Sequence, residues 1–132
     1  MSVTLTAQDK ATLRTAAYGA VALLAYASSK PHKVASRGTL ALYSGTGPIG
    51  HVLAEHPKEI DLDGNVAELA DRILPGLTDA MILLKKKAPA EADNFRSAIT
   101  IALDTAALVH KDGPTPSMSA MSRKITGALD AA

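Results

Sequence analysis

The chain has 132 residues, with 14 Lys and Arg against 13 Asp and Glu, and it contains no cysteine. This length suits a single domain over residues 1–132, and the missing thiols exclude disulfides, thiolate metal sites and cysteine nucleophiles. The balanced charge predicts no general attraction to nucleic acid or a membrane. Since no uncharged stretch reaches the roughly 20 residues of a membrane span and no signal peptide is visible, we expect a soluble cytoplasmic protein.

Alanine-rich segments with apolar residues at helical spacing predict an all-α fold of about five helices, four of them in a bundle-like core. The first helix is expected from about Ala7 to Ser28, with Thr6 as its N-cap. Over residues 15–27 its apolar and small side chains occupy nearly every direction around the axis, whereas a bundle helix in a small monomer keeps one solvated face. This helix is therefore either central or in contact with a partner.

The second helix is expected to be kinked or broken. It begins near His32 to Ala35, and Val34 and Leu40 belong to its apolar pattern. Residues 45–50, Gly-Thr-Gly-Pro-Ile-Gly, then interrupt it. Glycine costs about 1 kcal/mol and proline about 3 kcal/mol in a helix interior, so this segment predicts a bend, a close backbone approach or a binding loop.

The remaining helices carry clear local signals. Asn65 with Glu68 three residues later resembles a capping box that starts the third helix, and Pro75 inside this helix predicts a kink or a junction between two shorter helices. A fourth helix is expected from Pro89. After a turn at residues 110–114, Thr115 is expected to cap a short C-terminal helix.

The break in the second helix is the first place to look for a small-ligand site. Glycines allow a ligand close to the backbone, and hydroxyl and imidazole groups supply polar contacts. A phosphate-binding Walker loop is not indicated, because its lysine and hydroxyl positions are occupied by His51 and Val52. The candidate ligand-binding residues are Tyr43, Ser44, Gly45, Thr46, Gly47 and His51.

The sequence gives weaker indications of metal binding and of DNA recognition. His51, Glu55 and His56 form a compact set of metal-ligand types, but a hydrated helix end explains them better, and no motif indicates a cofactor or a catalytic residue. Ala41 and Gly45 have the spacing of a helix-turn-helix, yet the helix that follows lacks the arginine, lysine or amide side chains that read bases.

Three functional hypotheses follow. The first is a non-enzymatic helical bundle that acts through protein contacts, as a homodimer that associates through apolar helix faces. The alternative is a small-ligand-binding protein or enzyme with a pocket beside the Gly45–Gly50 break. The third is a weak helix-turn-helix-like DNA-binding protein, for which nucleic-acid contacts would have to come from elsewhere in the chain.

Overall fold

The protein is all-helical in the part of the chain that the structure, a computed structural model, describes: residues 5–45, 47–55, 62 and 64–132. This confirms the predicted fold class. Six helices are present there rather than about five, because the glycine-rich break divides the predicted second helix into two. They are α1 (Ala7–Tyr26), α2 (Pro31–Tyr43), α3 (Gly47–Ala54), α4 (Val66–Lys87), α5 (Pro89–Ala107) and α6 (Pro116–Asp130).

Helix α1 is the centre of the fold. It contacts each of the other five helices, and 11 of its 20 residues are buried. Its small residues let neighbours approach closely: a side chain on Gly19 would collide with Ile73 of α4, and Gly38 of α2 packs against Val21 in the same way. The apolar coverage seen in the sequence is therefore explained within the chain.

The predicted helix starts are confirmed by their hydrogen bonds. The Thr6 hydroxyl accepts from the Asp9 backbone N–H at 3.0 Å, and the Asp9 carboxylate accepts from the Thr6 N–H at 3.0 Å. Asn65 accepts from the Glu68 N–H at 2.9 Å, and Thr115 accepts from the Met118 N–H at 3.2 Å. These are interactions within four residues, which is why local sequence was sufficient to predict them.

Helix α4 is one continuous element with Pro75 inside it, so the predicted junction between two shorter helices is wrong. Its buried residues recur at helical spacing on both sides of the proline, and they hold the two halves against α1. The pairing is antiparallel, since Lys87 at the end of α4 lies 2.6 Å from Asp9 at the start of α1.

Helices α2 and α5 form an antiparallel pair at the surface. Lys33 near the start of α2 lines one cavity with Leu108 at the end of α5, and Ser44 at the end of α2 lines another with Ala98. Only Val34, Gly38 and Leu42 of α2 are buried, which leaves much of this helix facing solvent. None of the helices in the described ranges is long and apolar enough to cross a membrane.

Candidate functional site

The glycine-rich break is a close contact of backbone with backbone. Gly50 is buried in α3, and a β-carbon placed on it would lie 2.5 Å from the carbonyl oxygen of Gly45. Gly47 has a φ of 76°, a backbone conformation that favours glycine. The chain thus turns between α2 and α3 within a space that excludes side chains at Gly50, which is the close approach that the sequence indicated.

Those of the predicted ligand-binding residues that the structure describes lie against different neighbours. The Tyr43 ring packs against Tyr18 of α1, with 5.9 Å between the ring centroids. Ser44 and Gly45 border a groove on the other side, toward α5, and the Ser44 hydroxyl donates to the Leu40 carbonyl at 2.8 Å. Gly47 and His51 are exposed on α3 outside that groove, and Thr46 lies outside the described residues.

Helix α3 is anchored to α1 at two points. The Tyr18 hydroxyl donates to the Leu53 carbonyl at 2.5 Å, and burial raises the pKa of this tyrosine, with the neighbouring Tyr43 adding to the effect. Arg14 forms an ion pair with Glu55 at 2.9 Å. Both contacts serve to fix the short helix against the core.

These anchors bear on two of the predicted sites. Glu55, a metal candidate with His51 and His56, is engaged by Arg14, and His56 lies outside the described residues. The described residues hold no group of three His, Cys, Asp or Glu side chains placed for a metal ion. As a recognition helix, α3 exposes Pro48, His51 and Ala54, which are poor readers of base edges.

A groove with a volume of about 420 Å³ lies between α2 and α5 beside the break. Leu40 stands on one side with 61% of its surface exposed, and Ile101 stands on the other with 59% exposed. Ala41 and Ala98 are half-buried in the same groove. We call this surface the α2–α5 face: Arg37, Leu40, Ala41, Ser44, Gly45, Ala98, Ile101 and Thr105.

Charges of opposite sign lie on the two helices of this face. The exposed side of α2 carries Lys33 and Arg37, and the helix contains no acidic residue. The adjoining α5 exposes Asp104, next in sequence to the groove residue Thr105. Neither Arg37 nor Asp104 forms an ion pair with another described residue. The face therefore combines an apolar centre with separate basic and acidic sides.

The α2–α5 face is not predicted by the sequence, for two reasons. Helical spacing places Leu40 in the apolar pattern of the second helix, whereas Leu40 is exposed. Nothing local pairs α2 with α5, since α3 and α4 separate them along the chain. The available signal was Ile101, which lies off the buried stripe of α5 formed by Phe95, Ile99, Ala102 and Ala106.

Comparison with known proteins gives no further information on this surface. No protein family model matches the chain, and no curated protein or solved structure matches it.

Proposed function

We propose that this protein is a non-enzymatic helical module that self-associates through the α2–α5 face. The observation that carries the proposal is the exposure of Leu40 and Ile101 on opposite sides of a groove that has alanines in it. Small residues between large aliphatic ones let a helix of a second copy seat its own side chains in the groove. Apolar side chains grouped in this way are characteristic of interaction surfaces, whereas single exposed ones are common everywhere.

The basic residues of α2 and the acidic Asp104 of α5 favour one of the two possible two-fold arrangements of the copies. A two-fold axis parallel to the helices sets α2 of one copy opposite α5 of the other, with their ends aligned. Arg37 and Thr105 both line the groove, and Asp104 is next to Thr105, so we expect Arg37 of each copy to face Asp104 of the other. An axis perpendicular to the helices would set the two basic α2 helices against each other. We therefore propose the parallel axis, with two equivalent Arg37–Asp104 pairs.

The expected dimer is weak. Full burial of a Leu or Ile side chain contributes about 1.5–3 kcal/mol, and the two in each copy begin partly buried. Exposed ion pairs add up to about 1 kcal/mol each, whereas association costs about 4–15 kcal/mol. We expect a dissociation constant in the micromolar range or weaker, about 1 μM corresponding to 8.2 kcal/mol. For this module we also propose a cytoplasmic location, since a chain without cysteine suits a reducing compartment.

Sedimentation velocity over a concentration series tests the proposal. The wild-type protein should change from a 13.6 kDa monomer to a dimer as its concentration rises through the high micromolar range. Ile101→Glu should abolish the dimer by placing two charges in the apolar centre. The matched control is Ile82→Glu, because Ile82 is 44% exposed on α4 and does not line the groove.

Charge reversal tests the geometry. Arg37→Asp should weaken the dimer by opposing two carboxylates, and Arg37→Asp combined with Asp104→Arg should restore it. Circular dichroism would verify that each variant keeps its helices. A monomer at every concentration, or equal weakening by Ile101→Glu and Ile82→Glu, contradicts self-association through this face. Failure of the double variant to recover contradicts the parallel axis.

A further inference from the structure

A second concave surface lies at the other end of α2, between the α1–α2 connection and the α5–α6 turn. It is a cavity of about 440 Å³, and its lining includes Lys30, His110, Lys111 and Gly113. An adjoining cavity of about 460 Å³ shares Lys111 and adds Lys33 and Arg37, the latter also a member of the α2–α5 face. Neither cavity contains Leu40 or Ile101, so this surface is separate from the apolar centre of the proposed dimer contact.

The positive charge of the protein is concentrated at this surface. Lys30, Lys33 and Lys111 are exposed and form no ion pair with another described residue. With Arg37 and Asp112, the other charged residues of the two cavities, they sum to +3, whereas the whole chain has a net charge of +1, so all other residues together sum to −2. Charges of one sign around a concave surface raise the local concentration of ions of the opposite sign.

The structure also holds the His110 ring in a defined orientation. Its Nε2 atom lies 2.7 Å from the Ser28 hydroxyl oxygen, which is 82 residues away in sequence. The same oxygen accepts the Lys30 backbone N–H at 2.9 Å. This contact forms in one of two ways: the Ser28 hydroxyl donates to Nε2, or a ring protonated at Nε2 donates to the hydroxyl oxygen. A neutral ring that accepts at Nε2 carries its own proton on Nδ1, which makes Nδ1 a hydrogen-bond donor.

We propose that this cavity binds the phosphoryl group of a small phosphorylated molecule. Lys30 and Lys111 provide the positive charge, and the Nδ1–H of His110 provides a directed donor. The lining also includes the carboxylate of Asp112, so the cavity has a net charge of +1 when the His110 ring is neutral. Two cations and an oriented N–H suit a compact dianion, to which charge-assisted hydrogen bonds are strongest. Among the described residues, the cavity lining contains no Phe, Tyr or Trp, so it lacks the large aromatic platform on which nucleic-acid bases stack. Ser28 is a positioning residue, since it acts through the His110 ring.

Isothermal titration calorimetry on the full chain tests the site, with inorganic phosphate, pyrophosphate and a hexose phosphate as probes and the neutral hexose as reference. Saturable binding is expected for the phosphorylated probes at constant ionic strength, and none for the hexose. Tighter binding of the hexose phosphate than of inorganic phosphate identifies an ester as the ligand type, and the reverse order identifies the free anion. Absence of saturable binding to all three phosphorylated probes overturns the proposal.

Two matched variants distinguish phosphate binding at this cavity from a general attraction of phosphate to the charge of the protein. Lys111→Gln should weaken binding at least about tenfold, which corresponds to about 1.4 kcal/mol. Lys86→Gln removes the same charge from the exposed end of α4, which lines neither cavity, and should leave affinity within about twofold, or about 0.4 kcal/mol. Equal weakening by both variants overturns the proposal.

The role of Ser28 has its own readout. Long-range ¹H–¹⁵N spectra of His110 should show the Nδ1–H tautomer in the wild-type protein and a shift toward Nε2–H in Ser28→Ala, together with weaker phosphate binding. A wild-type ring protonated at Nε2 would overturn the assignment of His110 as the donor.

Discussion

A substitution of Gly50 by alanine gives the sharpest test of the α2–α3 contact. The added β-carbon would lie 2.5 Å from the Gly45 carbonyl oxygen and 3.2 Å from the Gly45 α-carbon. These are backbone atoms, so they cannot move aside by a rotamer change. Overpacking of a well-packed site costs about 1–3 kcal/mol, and we expect the upper end here. Alanine recovers about 1 kcal/mol of helix propensity, which leaves a net loss of about 2 kcal/mol.

The matched control is the same change at Gly127. This residue is exposed within α6, and a β-carbon placed on it meets no atom within 4 Å. Gly127→Ala should therefore gain about 0.5–1 kcal/mol, the ordinary advantage of alanine over glycine in a helix. One chemical change at two helical positions is thus expected to have opposite effects on the free energy of unfolding.

Urea denaturation followed by circular dichroism measures both variants. Gly50→Ala should lower the midpoint with an unchanged slope, and Gly127→Ala should raise it. In thermal unfolding, the loss for Gly50→Ala corresponds to roughly 8 °C in a domain of this size. If Gly50→Ala is as stable as the wild-type protein, or if both substitutions stabilise, the inferred backbone contact is refuted.

Two further predictions concern single side-chain interactions. Tyr18→Phe removes the hydroxyl that donates to the buried Leu53 carbonyl and should cost about 1–3 kcal/mol in denaturation experiments, whereas Tyr26→Phe at an exposed position should be neutral. The Lys87 ammonium lies 2.6 Å from the Asp9 carboxylate, and the Thr6 backbone N–H donates to the same carboxylate. Both interactions lower the pKa of Asp9 below its ordinary value of 3.8. The stability from this ion pair is therefore present above pH 3.8 and lost as the pH falls through the lowered pKa. Asp9→Asn should reduce the acid dependence of unfolding, and an unchanged dependence contradicts this prediction.

The sequence predicts the helices of this protein better than the surfaces they form. Thr6, Asn65 and Thr115 were identified as caps because a cap and its hydrogen-bond partner lie within four residues of each other. The crowding of α1 was also visible, but an isolated helix pattern does not distinguish a neighbour in the same chain from a second copy. That choice depends on the pairing of helices that are distant in sequence.

Both proposed surfaces depend on such distant pairing. Leu40 and Ile101 become one surface only when α2 lies antiparallel to α5, and Lys30 and Lys111 become neighbours only when two separate turns meet at one end of the fold. In the sequence, Leu40 and Ile101 are on helices and Lys30 and Lys111 are next to turns, and no local pattern links the members of either pair. The glycine-rich break at residues 45–50, by contrast, is a local pattern, so the sequence predicts its candidate ligand residues there.

The glycine-rich break itself is accounted for by packing. In helix propensity alone, Gly50 costs about 1 kcal/mol relative to alanine, and Gly47 has a φ of 76°, at which glycine is the favoured residue. The turn they permit buries Ile49, Val52 and Leu53, and each such side chain contributes about 1.5–3 kcal/mol when fully removed from water. The gain exceeds the cost before the Tyr18 hydrogen bond and the Arg14–Glu55 ion pair are counted. A ligand is therefore not needed to explain why the chain keeps these glycines. The two proposed interaction sites lie instead along α2, one in its groove with α5 and one at its first turn.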